Sequence, residues 1–353
     1  MIIDVSKLAG ANLARKNLTG ANLAGANLAG ANLTGTNLTG ANLAGADLKN
    51  TTLNGTNLAK ANLTNATFGG ATMTGANLTG ADLTGASLGE CCMQGALFDE
   101  AILRGASLVN ADLTGASLRN ANLVDAKLVD ATLTDADLTG ANLTNAGLPN
   151  AKMRMTNLTG ANLTGANLSW VDSPNANMSG ATLTGANLTN AYLRQVNLTG
   201  AKLTGADLAG ADLEVSTLAG ANLTNANLAG AELPGANLTG ANLTKANLTY
   251  AYLHMADLTG ANLASASLGF ADLAGAKLSS ANLISARLPG ANMTRANLAG
   301  AQMVSAKLTY AKLTYANLSG ADLTYANLTG ADLTYAIQTG ANLTGTILAK
   351  TNG

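Results

Sequence analysis

From Leu8 to Leu348 every fifth residue is leucine, with few substitutions and no slip of register. The unit around each leucine reads Ala-Asn/Asp-Leu-Thr-Gly, as in Ala161-Asn162-Leu163-Thr164-Gly165. A fixed short period marks a repeat architecture rather than a globular domain. Five residues fit neither the 3.6-residue period of an amphipathic helix nor the 2.0-residue period of a flat strand. The chain must therefore turn once in every unit.

Proline locates that turn. Its ring presets φ for the first central residue of a β-turn and removes a donor that a ladder would use. Pro149, Pro174, Pro234 and Pro289 all follow the central residue of their unit, which places the turn at the Thr-Gly step. Tyr250, Tyr310, Tyr315, Tyr325 and Tyr335 stand at the Gly position. Bulky residues there predict type I or distorted turns at those corners rather than a turn demanding positive φ. Replacements of the small first residue recur at multiples of twenty: Lys16, Thr36 and Thr56, then Thr156, Val196 and Ser216. Stacked coils of four units would put all six in one slightly wider corner column. Three or five units per coil would scatter them.

These repeats resemble the pentapeptide repeat family, and the resemblance covers essentially residues 3 to 350. It implies an all-β fold: a right-handed quadrilateral parallel β-helix, four repeats per coil, with the central Leu and the preceding small residue inward. Over 353 residues that makes about 17 to 18 coils in a single continuous domain, 1–353, at roughly twenty residues per coil. At about 4.8 Å per coil the rod would be on the order of 85 Å long.

Composition narrows the chemistry. Charged residues are 11% of the chain and the formal net charge is −1, so no long-range field is expected. Non-specific nucleic-acid binding needs clustered Lys and Arg, and the sequence shows no such cluster. Near-neutrality also departs from the strongly acidic, DNA-like rods through which the best-known family members occupy DNA gyrase. The opening Met1-Ile2-Ile3-Asp4-Val5 lacks a basic region followed by an apolar run. Neither a signal peptide nor membrane insertion is expected, and a cytoplasmic location is the default. The Asn-Leu-Thr sequons are generated by the repeat itself and carry no weight for secretion. Cys91 and Cys92 are adjacent, one predicted inward and one outward, and are expected to be two free thiols.

A catalytic constellation is missing. His254 is the only histidine, which removes Ser-His-Asp, Cys-His and multi-histidine metal sites. Asp125, Asp130 and Asp135 fall at successive corners and diverge, so paired-carboxylate chemistry is not expected. Glu90, Asp99 and Glu100 read as a solvated edge. Glycines are periodic at turns without the strand-then-helix context of a phosphate loop. Thr hydroxyls lie on all four sides, whereas an ice-binding face would gather them on one. The expectation is no enzyme, no cofactor and no metal.

Unusual outward residues are unevenly spread. Sorted by twenty, Arg154, Tyr192, Arg194, Tyr252 and His254 gather on one face, and Trp170, Tyr250, Phe270 and Tyr310 on the adjoining edge. Aromatics and Arg are enriched at binding centres, so this is the candidate contact face. The competing reading is that stacked aromatics stabilise the ladder without any partner. A solenoid normally finishes in a distinct polar cap, yet the repeat runs almost from end to end. Ile3, Leu8 and Lys16 at one end and Leu343, Ile347 and Leu348 at the other are candidate end-to-end contacts. Lys16 occupies an inward position and is expected to snorkel outward as a partial cap. The leading functional expectation is a non-catalytic structural rod whose copies stack head to tail into a fibre or scaffold. The alternative is a module that binds another protein, which by resemblance includes a gyrase-interacting role.

Overall fold

The computed structural model describes residues 7–348. The chain divides into two compact units, Met1–Asn177 and Met178–Gly353, and each is built by the same rules. In the first unit, second-position residues bridge in parallel, Asn12 to Asn32 and Asn32 to Thr52; in the second, Thr182 to Lys202 and Lys202 to Asn222. Each bridge joins residues twenty apart, the length of four repeats.

Three backbone bonds per repeat tie one coil to the next. In the second unit the Leu203 N–H donates to Asn222 O at 2.7 Å, the Asn222 N–H to Ala201 O at 2.9 Å, and the Gly205 N–H to Thr224 O at 2.9 Å. A fourth closes the turn, from the Ala206 N–H back to Leu203 O at 3.0 Å. Leu33 and Ala31 in the first unit, like Leu203 and Ala201 in the second, are fully buried. Alternation across a short strand sends the first and central residues in and the second residue out. The five-residue period is thus three strand residues plus two turn residues.

The Asn and Thr of the consensus act together. The Asn142 Oδ1 accepts the Thr144 N–H at 3.1 Å and the Thr144 hydroxyl at 2.6 Å, an Asx turn that leads the chain into each corner. Proline at the fourth position has no N–H to give. The second residues of the four proline repeats are Gly147, Asp172, Glu232 and Arg287, none of them Asn.

The turn differs from the expectation drawn from tyrosine. Every non-glycine corner among the described residues has positive φ, including Tyr250 at 60°, Tyr310 at 57°, Tyr315 at 61°, Tyr325 at 59° and Tyr335 at 59°. With a bond closing the turn three residues on, positive φ at its third residue is the type II pattern. The left-handed region costs an L-residue on the order of 1–2 kcal/mol. Inter-coil bonds on both sides of each strand hold the corner there whatever its side chain. Asn, which tolerates this region best, is the commonest non-glycine corner residue.

Inward hydroxyls are satisfied. Thr36, Thr56, Thr156 and Ser216 donate to the carbonyls of Leu13, Leu33, Leu133 and Leu193, one coil back. Inward substitution is not confined to their column, however. Thr51, Cys91 and Val171 occupy a neighbouring first-position column and are equally buried. Thr51 bonds the Leu48 carbonyl of its own turn at 2.6 Å.

Cys91 is buried and Cys92 exposed, both as free thiols. Burial pushes the Cys91 thiol up to about 12, so at neutral pH it carries almost no thiolate, the reactive form. A thiol-reactive reagent is expected to modify one cysteine in the native protein and a second after denaturation. Mass spectrometry of the peptide holding both residues checks this.

Candidate contact surfaces

Arg154 and Trp170 belong to the first unit, where both are exposed, Trp170 at 62%. The remaining candidates belong to the second. There Arg194 lies with its guanidinium carbon 5.5 Å from the Tyr192 ring centre. Its Nε donates to Asp212 at 2.6 Å and its Nη1 to Glu214 at 2.8 Å. One side chain thereby bridges two coils and fixes the ring beside it. Tyr252 and His254 line a shallow depression of about 250 Å³ with Glu232 and Pro234. The His254 Nδ1 is 3.9 Å from an Asp272 oxygen.

On the adjoining edge Tyr250 and Phe270 stack with centroids 5.3 Å apart and planes 9° from parallel. Tyr310 is 68% exposed. A corner side chain leans over the residue twenty further on. Phe270 lies over Gly290, its ring carbons 2.7 Å from where a Cβ would stand; Tyr310 covers Gly330 and Tyr325 covers Gly345, each at 2.5 Å. Asn65 over Gly85 does the same in the first unit. In the second unit Tyr250 and Tyr315 are followed, one coil on, by a second ring, and Phe270, Tyr310 and Tyr325 by glycine.

Tyr315 and Tyr335 form a second stack, with centroids 5.0 Å apart, which was not singled out from the sequence. Arg295 lies 5.9 Å from the Tyr315 ring centre. Both border a depression of about 500 Å³ that His254 and Met255 close from the other end. The twenty-residue spacing of the two tyrosines was the available signal.

Outward carboxylates are tied into turns. The Thr324 hydroxyl, and after it the Thr324 N–H, hold Asp322 below the usual carboxylate range. Thr334 does the same for Asp332, with help from Thr314. At Asp137 desolvation pushes upward, but the Thr139 hydroxyl and N–H together with Arg119 outweigh it. These anions stay charged and already have partners, the opposite of what a general acid needs. Among the described residues no cluster of His, Cys, Asp and Glu could hold a metal ion. No helix among them is long and apolar enough to cross a membrane.

Ile3 lies outside the described residues. Leu8 is buried at 6% exposure, and Lys16 is exposed although its position is an inward one. Leu343 is half-buried, while Ile347 and Leu348 are 53% and 57% exposed.

The family profile described as Pentapeptide repeats (8 copies) matches twelve stretches, from 6–40 through 311–349, and passes over 173–175. The chain belongs to the pentapeptide repeat family. Solved pentapeptide repeat proteins are similar to it. HetL, involved in heterocyst differentiation regulation in the cyanobacterium Nostoc, is 36% identical; the match covers 63% of this chain and 89% of HetL, with a TM-score of 0.38. A thylakoid-lumen pentapeptide repeat protein of Arabidopsis thaliana is 25% identical over 38% of this chain and 72% of its own, with a TM-score of 0.21. QnrB1, a plasmid-mediated fluoroquinolone resistance protein, is 20% identical over 62% and 90%, with a TM-score of 0.24. None of the curated proteins compared with the chain matches it. Pentapeptide repeat membership carries the right-handed quadrilateral β-helix with it, and function has to be argued from the surfaces this chain presents.

Proposed function

We propose that this pentapeptide repeat protein is a non-catalytic assembly scaffold whose copies join end to end. The carrying observation is the apolar surface of the last described coil. Leu323 and Leu328 one coil earlier are 0% and 2% exposed, whereas Leu333 and Leu343 are half-buried and Ile337, Ile347 and Leu348 are exposed by half or more. The backbone pattern supports the same partner. Central N–H groups donate to the following coil and first-position carbonyls accept from it, the last such described bonds being Leu328 N–H to Ile347 O and Ile347 N–H to Ala326 O. A second copy whose first coil followed the last one would continue both kinds of bond and the inward leucine columns. Such a heterologous contact does not close, so it propagates.

Sedimentation and negative-stain imaging over a dilution series test this reading. Particles should lengthen with concentration, and Ile347→Lys with Leu348→Lys should shift the population to single copies. Single copies at every concentration would count against it.

A second reading, binding of a different protein, is favoured by Tyr192 and Arg194. The Arg194 bonds to Asp212 and Glu214 hold this pair in one geometry, which lowers the ordering cost of a contact. Alanine at Tyr192 and Tyr252 would then abolish capture of that partner while leaving assembly unchanged.

A further inference from the structure

Outward second-position residues stack on the residue twenty along, so a charge there faces its neighbour across one strand spacing, about 4.8 Å. In the second unit Asp257 stacks with Lys277 and Lys312 with Asp332, opposite in sign. Asp212 stacks with Glu232, of like sign, but Arg194 bonds Asp212 directly. Arg287 stacks with Lys307, and nothing offsets this pair. Both are exposed, and neither side chain makes an ion pair or hydrogen bond among the described residues. Their column continues as Ser267 before and Asn327 after. The flanking corners are Ser265, Ser285 and Ser305 on one side, and Phe270, Gly290 and Tyr310 on the other. No carboxylate stands among them. Directly opposed like charges destabilise a sheet, so the fold carries a cost here that an external anion would relieve.

The surroundings specify more than charge. Arg287 borders a depression of about 370 Å³ whose other walls include Thr249, Ser267, Pro289 and the stacked Tyr250–Phe270 pair. That volume lies at the small end of the range for small-molecule sites. Proline and the two ring edges supply apolar wall. The Thr249 hydroxyl already donates to Asn247 and so faces a ligand as an acceptor, whereas Ser267 is available as a donor.

We propose that the Arg287–Lys307 step is a binding site for a phosphate monoester carried on a planar ring. A phosphate monoester is close to a dianion at neutral pH and matches two cations, whereas a carboxylate would leave one uncompensated. The guanidinium supplies a planar fork that suits phosphate bidentately, and the ammonium a point charge. The ring would rest against Pro289 and Phe270.

Calorimetric titration of the full chain at low ionic strength with phenyl phosphate, benzoate and inorganic phosphate tests this. Phenyl phosphate should bind one to one and about tenfold more tightly than either of the others. Arg287→Asn and Lys307→Asn change outward side chains only and leave the inter-coil backbone bonds of Arg287 to Ala266 and of Lys307 to Ala286 in place. Each should weaken phenyl phosphate binding about tenfold and raise the thermal midpoint, because the opposed charges are gone. Phenyl phosphate binding no tighter than benzoate, or as tightly to the Asn variants as to the original chain, would overturn the proposal. A raised midpoint with no binding in the original chain would also overturn it, leaving electrostatic strain alone.

Discussion

Leu238→Ala is expected to destabilise the second unit by roughly 2–5 kcal/mol. Leu238 stands between Leu218 and Leu258 in one inward column, and all three are fully buried. The cost of such a truncation depends on how far the surroundings collapse into the space left. Collapse is restricted here, because the backbone is pinned on both sides: the Leu238 N–H donates to Asp257 O at 2.7 Å and the Leu218 N–H to Asn237 O at 2.7 Å. Denaturant unfolding followed by circular dichroism measures the loss. Leu343→Ala is the matched control, since half-burial leaves about 1 kcal/mol or less to lose. Equal effects at the two sites would mean that the dry column is not what holds the coils together.

Gly290→Val should be the most damaging of the corner substitutions. Two costs meet there. The corner has φ of +65°, and a β-branched residue in that region is strained by about 1–3 kcal/mol. The new Cβ would also stand 2.7 Å from two carbons of the Phe270 ring, which would have to leave its seat and with it the stack on Tyr250. Gly240→Val separates the two costs, because Gly240 has φ of +62° and nothing within 4 Å of an added Cβ. The Gly290 variant should melt several degrees below the Gly240 variant. Gly290→Val combined with Phe270→Gly should recover most of that gap. Thermal melts of the four proteins decide the matter.

The inward and outward assignment could be read from the sequence because one physical signal, the five-residue leucine period, runs through the whole chain. Proline marked the turn correctly for the same reason: a missing N–H is tolerated at one place in the unit. Tyrosine at the corner misled, since the usual steric argument treats a residue alone, whereas at Tyr250 or Tyr315 the bonds of the adjoining coils dictate φ. The seat of each corner ring was invisible until residues twenty apart were compared, Phe270 with Gly290 and Tyr310 with Gly330. Arg287 and Lys307 escaped notice likewise, as two isolated cations in a nearly neutral chain. Arg194 was legible as a candidate, but not its bonds to Asp212 and Glu214, which depend on rotamers that no spacing records.

Because every inter-coil bond joins positions a fixed distance apart, changes in chain length are quantised. Losing or gaining one pentapeptide keeps leucine buried but breaks every pairing that spans the change; between Phe270 and Lys277, for example, it would part Phe270 from Gly290 and Lys277 from Asp257. A duplication of twenty residues returns everything downstream to its own column. Natural variants that preserve the decorated faces are therefore expected to differ in length by whole coils.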